Sequence, residues 1–119
     1  MDQRVRAAIL LMEKSLHRDL SLEEIAQSVN LSASRFRHLF KAEIGVSPAQ
    51  YMKSLRMQRA RELLDATFLN VKQVMSMAGV RDKGHFIENF KKAYGLTPTQ
   101  HRARQIRTNS LTKKVAAGR

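Results

Sequence analysis

Apolar residues recur along the chain at three- and four-residue spacing, in blocks separated by short polar stretches, which is the period of amphipathic helices. No stretch sets up a competing β-type alternation. Phe36, Leu39 and Phe40 share one helical face, and Phe86, Phe90 and Ala93 share another. A longer apolar set, Tyr51, Leu55, Met57, Ala60, Leu63 and Leu64, runs through the centre of the chain. The stretch Ala7 to Met12 is apolar but short, with polar neighbours and no small-residue cleavage site, so it reads as a core helix and not a secretion signal.

Helix starts are marked by residue chemistry. Ser47-Pro48-Ala49-Gln50 and Thr97-Pro98-Thr99-Gln100 each place a hydroxyl N-cap before a Pro at the first helical position. Ser21-Leu22-Glu23-Glu24 has the pattern of a capping box and Asn70-Val71-Lys72-Gln73 a similar entry, while Ser32 and Asp82 are suited to cap further helices. Only the first helix lacks such a signal. Gly45 and Gly95 follow amphipathic runs and supply the left-handed position that ends a helix. The pattern predicts an all-α chain of about seven helices, near Arg4 to Leu16, Leu22 to Val29, Ala33 to Ile44, Pro48 to Asp65, Val71 to Ala78, Lys83 to Tyr94 and Pro98 to Arg104. Residues 105–119 carry no sustained apolar period, and a basic flexible tail is expected there.

The chain repeats itself. FKAEIGVSPAQ, Phe40 to Gln50, matches FKKAYGLTPTQ, Phe90 to Gln100, at a constant offset. Phe36 pairs with Phe86 at that same offset, whereas Ile25, Ala26, Val29 and Leu31 pair with Val74, Met75, Ala78 and Val80 one residue closer. The second unit therefore carries one extra residue in its turn. Each unit is a short helix, a tight turn at Asn30 or Gly79, and a second helix, which is the spacing of a helix-turn-helix. An αα-hairpin with only packing duties has the same outline, but two copies in one basic chain favour the binding motif.

Charge sharpens that preference. The 119 residues carry a formal charge of +12, which points to a polyanionic partner, because Lys and Arg gain most where they displace counterions from phosphates. Residues 1–69 hold eleven Lys and Arg against eight Asp and Glu, a net of +3, whereas residues 70–119 hold eleven against two, a net of +9. The second half is expected to meet phosphate more strongly. There is no cysteine, which removes disulfides and thiolate sites and fits a reducing cytoplasm. No apolar run approaches the ~20 residues needed to cross a bilayer, so no membrane partner is expected.

With SLEEIAQSVNLSASRFRHLFKAEIGVSPAQYMKSLRMQRARELL in the first unit and VMSMAGVRDKGHFIENFKKAYGLTPTQHR in the second, the chain resembles the DNA-binding domain of AraC/XylS-family transcription regulators from Arg4 to Arg102. The closing FKKxxGxTPxxxR pattern is the most specific part of the match. The resemblance implies a bacterial, cytoplasmic, nucleoid-associated regulator. Its two helix-turn-helix lobes would be joined by one long helix, each placing a recognition helix in the major groove of double-stranded DNA. It also implies activation through RNA polymerase, and an effector-binding or dimerisation domain if the chain is part of a longer protein. The corresponding division is 1–47 for the first lobe, 48–65 for the connecting helix, 66–104 for the second lobe and 105–119 for the tail. Length agrees independently: a helix from Pro48 to Asp65 spans ~27 Å at ~1.5 Å per residue, comparable to the ~34 Å turn of B-DNA once lobe thickness is added.

In the first candidate reader, burial of Phe36 and Phe40 leaves Ser34, Arg37, His38 and Lys41 on the opposite face. Arg37 has the planar fork suited to guanine O6 and N7, Ser34 and His38 can donate or accept at base edges, and Lys41 suits phosphate. Arg35 lies towards the flank and the backbone. The second reader presents Gly84, His85, Ile87 and Glu88, where relatives commonly have Ser and Arg in place of Ile87 and Glu88. Ile87 can meet only a thymine methyl, and Glu88 is repelled by phosphate unless it accepts from cytosine. The second lobe is therefore expected mainly to grip backbone through Arg81, Lys83, Lys91, Lys92 and Arg102. Gln50, Gln100 and Arg56 complete the expected phosphate set, Arg56 being equally suited to plain solvation.

Met75, Met77 and the histidines at 17, 38, 85 and 101 lack paired ligand spacing, so no metal or other cofactor is expected. No paired carboxylates, Ser-His-Asp pattern or glycine-rich phosphate loop marks an enzyme. Two other readings stay open on sequence alone: a nonspecific basic nucleoid or RNA-binding protein, and a helical module whose basic face binds an acidic protein.

Overall fold

The computed structural model describes residues 1–117, and side chains through residue 107. Among the described residues there are seven helices and no strand: α1 (Gln3–Lys14), α2 (Leu22–Ser28), α3 (Ala33–Ile44), α4 (Pro48–Ala66), α5 (Val71–Ala78), α6 (Lys83–Tyr94) and α7 (Pro98–Ala117). Six of the starts use the caps read from the sequence, the sixth being Thr97, which accepts the Gln100 N–H at 3.2 Å. Ser21, Ser32, Ser47, Asn70 and Asp82 each accept a backbone N–H from three residues on. Thr97 and Gln100 bond reciprocally, as do Asn70 and Gln73.

Five boundaries differ from expectation, three of them by a single residue: α1 starts at Gln3, α2 ends at Ser28 and α4 ends at Ala66. The first helix does have a start signal, Asp2, whose carboxylate accepts the Arg4 N–H at 2.7 Å and also pairs with the Arg4 guanidinium at 3.0 Å. It ends at Lys14 instead of Leu16, so that Leu16 lies in the following turn. The last helix does not stop at Arg104 but runs to Ala117, across most of the segment expected as a tail. Residues 105–117 contain no Gly or Pro to end the helix, and six of the thirteen are Arg, Lys, Leu or Ala, residues that favour helix even without an apolar stripe.

Two separate cores sit at either end of α4. The first gathers Val5, Ala8, Met12 and Leu16 from α1 and its turn, Ile25 and Ala26 from α2, Phe36 and Phe40 from α3, and Met52 from α4. The second gathers Met57, Ala60, Leu63 and Leu64 from α4, Val74, Met75 and Ala78 from α5, and Phe86 and Phe90 from α6. Helix α4 is thus a shared wall whose inner face changes allegiance between Met52 and Met57. Each fully buried Phe is worth about 1.5–3 kcal/mol of apolar transfer, so the four Phe residues dominate the packing.

The repeat extends to three-dimensional detail. Phe36 stacks at a tilt on Phe40, which meets the edge of Tyr51 at 5.4 Å. Phe86 packs on Phe90, which meets the ring of His101, Tyr51's repeat partner, at 5.5 Å. Both tight turns close with the same bond, from the Leu31 N–H to the Ala26 carbonyl and from the Val80 N–H to the Met75 carbonyl. Asn30 and Gly79 hold the left-handed position, at φ 60 and 78. Ala93 departs from expectation: it is exposed, because Phe86, Phe90 and Tyr94 form the inward stripe of α6 and Ala93 falls beside it.

Candidate nucleic-acid interface

Helices α3 and α6 are the second helices of the two helix-turn-helix units, and their outward faces carry the candidate readers. On α3, Phe36 and Phe40 are buried and Leu39 half-buried, which turns Ser34, Arg35, Arg37, His38 and Lys41 to solvent. His38 is oriented by its own helix: Nδ1 lies 2.8 Å from the Ser34 carbonyl oxygen. A carbonyl can only accept, so Nδ1 carries the proton and Nε2 is left for an outside partner. Arg37 lines a cavity of about 310 Å³ together with Asp19, Ser47, Pro48 and Arg56, beside the start of α4. The long planar donor fork of this exposed side chain can reach outward from there.

On α6, Lys83, Gly84, His85, Glu88, Lys91 and Lys92 are exposed and Ile87 is half-buried. Asp82 caps the helix by accepting the His85 N–H at 3.0 Å, and its carboxylate also lies 3.3 Å from the His85 ring. These contacts, the backbone N–H first and the His85 ring second, hold the Asp82 carboxyl below its ordinary pKa. His85 is therefore drawn towards the cap. Side chains at matching repeat positions have opposite character, Arg37 against Ile87 and His38 against Glu88, whereas Lys41 and Lys91 match.

A second cavity, of about 200 Å³, lies between α4 and α6 and includes Lys53, Arg56, Arg81, His85 and Asn89 in its lining. Arg56 lines both cavities, so both candidate readers open onto the same stretch of α4. Asn89 was not singled out in the sequence. The repeat held a usable signal, since Asn89 stands where the first unit has the half-buried Leu39.

The expected phosphate set divides. Arg35, Lys41, Lys83, Lys91 and Lys92 are exposed, as is Gln50 in the first turn of α4. Gln100 is exposed too, but its side-chain oxygen accepts the Thr97 N–H, leaving only the amide NH2 for a ligand. Arg81 is paired with Asp19 at 3.3 Å. Arg56 is half-buried with Nε 3.5 Å from the Leu16 carbonyl oxygen. Arg102 corrects the expectation: it points inward, donating to the carbonyl oxygen of Leu69, to that of Thr67 at 3.3 Å and to that of Leu64 at 3.5 Å. A helix leaves its last carbonyls without partners, and at the end of α4 the planar five-donor fork of Arg102 supplies them. Among the described residues no His, Asp or Glu cluster could hold a metal ion, and no helix is long and apolar enough to cross a membrane.

Two helix-turn-helix units built on one shared helix, each with a solvent-facing second helix carrying polar or charged side chains, define a double helix-turn-helix module of the DNA-binding type. The chain belongs to the AraC-type helix-turn-helix family. The family model described as "Helix-turn-helix domain" matches residues 25–104. Among curated relatives, the HTH-type transcriptional regulator GbdR of Pseudomonas aeruginosa is 31% identical over 102 residues, covering 86% of this chain and 28% of that protein. The arabinose operon regulatory protein of Escherichia coli is 34% identical over 104 residues, covering 87% of this chain and 36% of that one. The chain therefore spans about a third of the length of these relatives. Among solved structures, a transcriptional regulator of Chromobacterium violaceum described by its AraC-type DNA-binding domain superposes with a TM-score of 0.80 at 31% identity, covering 87% of this chain and 92% of that one.

Proposed function

We propose that the chain is the sequence-specific DNA-binding part of a transcription regulator and that its two lobes divide the work. The observation that carries this reading is the contrast between the exposed faces of α3 and α6 on otherwise matching scaffolds. Ser34, Arg37 and an oriented His38 give the first lobe directional donors and acceptors for base edges in the major groove. The second lobe offers Gly84, His85, Ile87 and Glu88, of which Ile87 is half-buried and His85 is turned to its cap. Its part is chiefly to hold backbone through Lys83, Lys91 and Lys92, with Arg81 contributing where it can leave Asp19. Arg35, Lys41, Gln50, Arg56 and the free amide of Gln100 add phosphate contacts.

A single chain with two unlike readers suits an asymmetric site covering two adjacent major-groove segments. The regulatory mode we propose is activation at a bacterial promoter, with RNA polymerase as the protein partner and the cytoplasmic nucleoid as the place of action. If the chain is part of a longer protein, an effector-binding or dimerisation domain belongs to this reading, in keeping with the greater length of the relatives.

Selection of bound duplexes from random sequence, followed by competition at moderate salt, tests this directly. A regulator should prefer its selected site by ~10³-fold or more over random DNA. Equal binding to all duplexes would instead identify a nonspecific basic nucleic-acid protein. Protection confined to one groove segment would remove the two-lobe reading.

A further inference from the structure

The two lobes match in sequence and packing, and two of their differences fall on one surface. The first lobe holds its left-handed turn position with Asn30, exposed at φ 60, and the second holds it with Gly79 at φ 78. The turn itself accepts asparagine, since both copies close with the same backbone bond. The neighbouring lobe is what excludes a side chain at 79. A β-carbon built there falls 1.7 Å from the Leu16 carbonyl oxygen and 3.1 Å from Arg56 Nε. Leu16 cannot retreat easily, because its side chain is buried in the first core. The second difference is the extra residue in the second turn. Ser32 corresponds to Asp82 and Leu31 to Val80, so the added residue is Arg81, and Arg81 pairs across the lobes with Asp19.

We propose that the backbone contact between Leu16 and Gly79, flanked by Arg56 and by the Arg81–Asp19 pair, is an interlobe latch that fixes the separation of the DNA segments the two lobes can occupy. Its consequence for DNA rests on the function proposed above, whereas the latch itself is a property of the free protein. Without it, α4 is left as the main link between two small cores and the lobes can rock about it. With it, the two readers are held in one relation before binding, so little ordering remains to be done on the DNA.

Because the chain has no cysteine, a spin label can be placed in each lobe by Gln27→Cys on α2 and Lys72→Cys on α5, both exposed. Pulsed distance measurement on the otherwise intact free protein should give one narrow distribution. Gly79→Asn, which can keep the left-handed turn as Asn30 does but adds a β-carbon against Leu16, should shift and broaden it. Asn30→Gly should leave it as it was. An unchanged narrow distribution in a cooperatively melting Gly79→Asn protein overturns the latch, whether or not the protein selects a DNA site. Should Gly79→Asn not fold, the Arg56→Leu, Asp19→Ala double variant leaves the turn untouched and is read the same way. On a selected site, one base pair added between the two segments moves them apart by roughly 3.4 Å and turns them by about 35°. The intact protein should lose ~10-fold or more in affinity on that duplex, and Gly79→Asn less than ~3-fold. A full spacer penalty in Gly79→Asn, once a specific site is in hand, counts against the latch and leaves the DNA-reading assignment standing.

Discussion

The guanidinium of Arg102 on α7 is hydrogen-bonded to the carbonyl oxygen of Leu69, tying the last helix to the loop that follows α4. The same group reaches the carbonyls of Thr67 and Leu64, so one cation completes the end of the connecting helix. Arg102→Ala should therefore destabilise the fold by about 1–3 kcal/mol, the cost of leaving half-buried acceptors without a donor. Thermal melting measures that loss. The salt dependence of DNA binding, taken where both proteins are folded, should keep its slope; a slope flattened by one unit would return Arg102 to the phosphate set.

His101 supports the same junction from the other side. Its Nε2 lies 2.6 Å from Asp65 Oδ1 at the end of α4, and its ring lies edge-on to Phe90. Removing the ring opens space in the second core and strips Asp65 of its partner. His101→Ala should cost about 2–3 kcal/mol. A melting temperature within error of the parent would show that the contact contributes nothing.

The junction also shows what the sequence does and does not reveal. Helix starts at Ser32, Ser47, Asn70, Asp82 and Thr97 were legible because capping is local chemistry, settled within four residues. The two helix-turn-helix units were legible because a repeat makes each copy a check on the other. The inward bonds of Arg102 were not legible because a cation at the fifth position of a helix looks the same from sequence whether it meets phosphate or three carbonyls more than thirty residues away. Ala93 was misread because its spacing from Phe90 allows either side of the stripe, and only Tyr94 decides which. Gly79 was recognised as a turn residue, but its approach to Leu16 depends on how the lobes dock. At the exposed face of α3, composition and structure agree on which side chains are free, and the choice of base lies with the DNA.

Arg37 and Lys91 separate reading from gripping. Arg37→Ala should cost roughly 1–3 kcal/mol on the selected site and relax the preference at one base pair, whereas Lys91→Ala should weaken all sequences alike and lower the salt slope by about one unit. Binding isotherms on the selected site, its single-base variants and random duplex distinguish the two. Uniform loss across all three for Arg37→Ala would reject its assignment as a base reader.

Glu88 is an exposed carboxylate on the second recognition helix, where the matching position of the first lobe is His38. If the lobe holds backbone, the charge opposes every duplex to the same degree, and Glu88→Ala should tighten binding to all of them with little change in preference. The gain should shrink as salt screens the repulsion. Loss of discrimination at one C·G pair in the variant would show instead that Glu88 accepts from cytosine and that the second lobe reads bases.

Asp82 links the start of this same helix to pH. Its carboxylate is favoured in the folded state by the His85 N–H and by the His85 ring, so its folded pKa lies below the unfolded value of about 3.9. A depressed acid stabilises the fold above its unfolded pKa, and the contribution is lost as pH falls through the folded value. Asp82→Asn keeps a capping oxygen but has no charge to lose. The melting-temperature gap between the parent and Asp82→Asn should therefore stay open above about pH 3.9, begin to close below it, and vanish once the parent's carboxyl is protonated. Asp2, whose pKa is lowered chiefly by the Arg4 side chain, titrates in the same acid range in both proteins and drops out of the difference. A gap that stays constant through that range would mean that the charge on Asp82 contributes nothing to the cap.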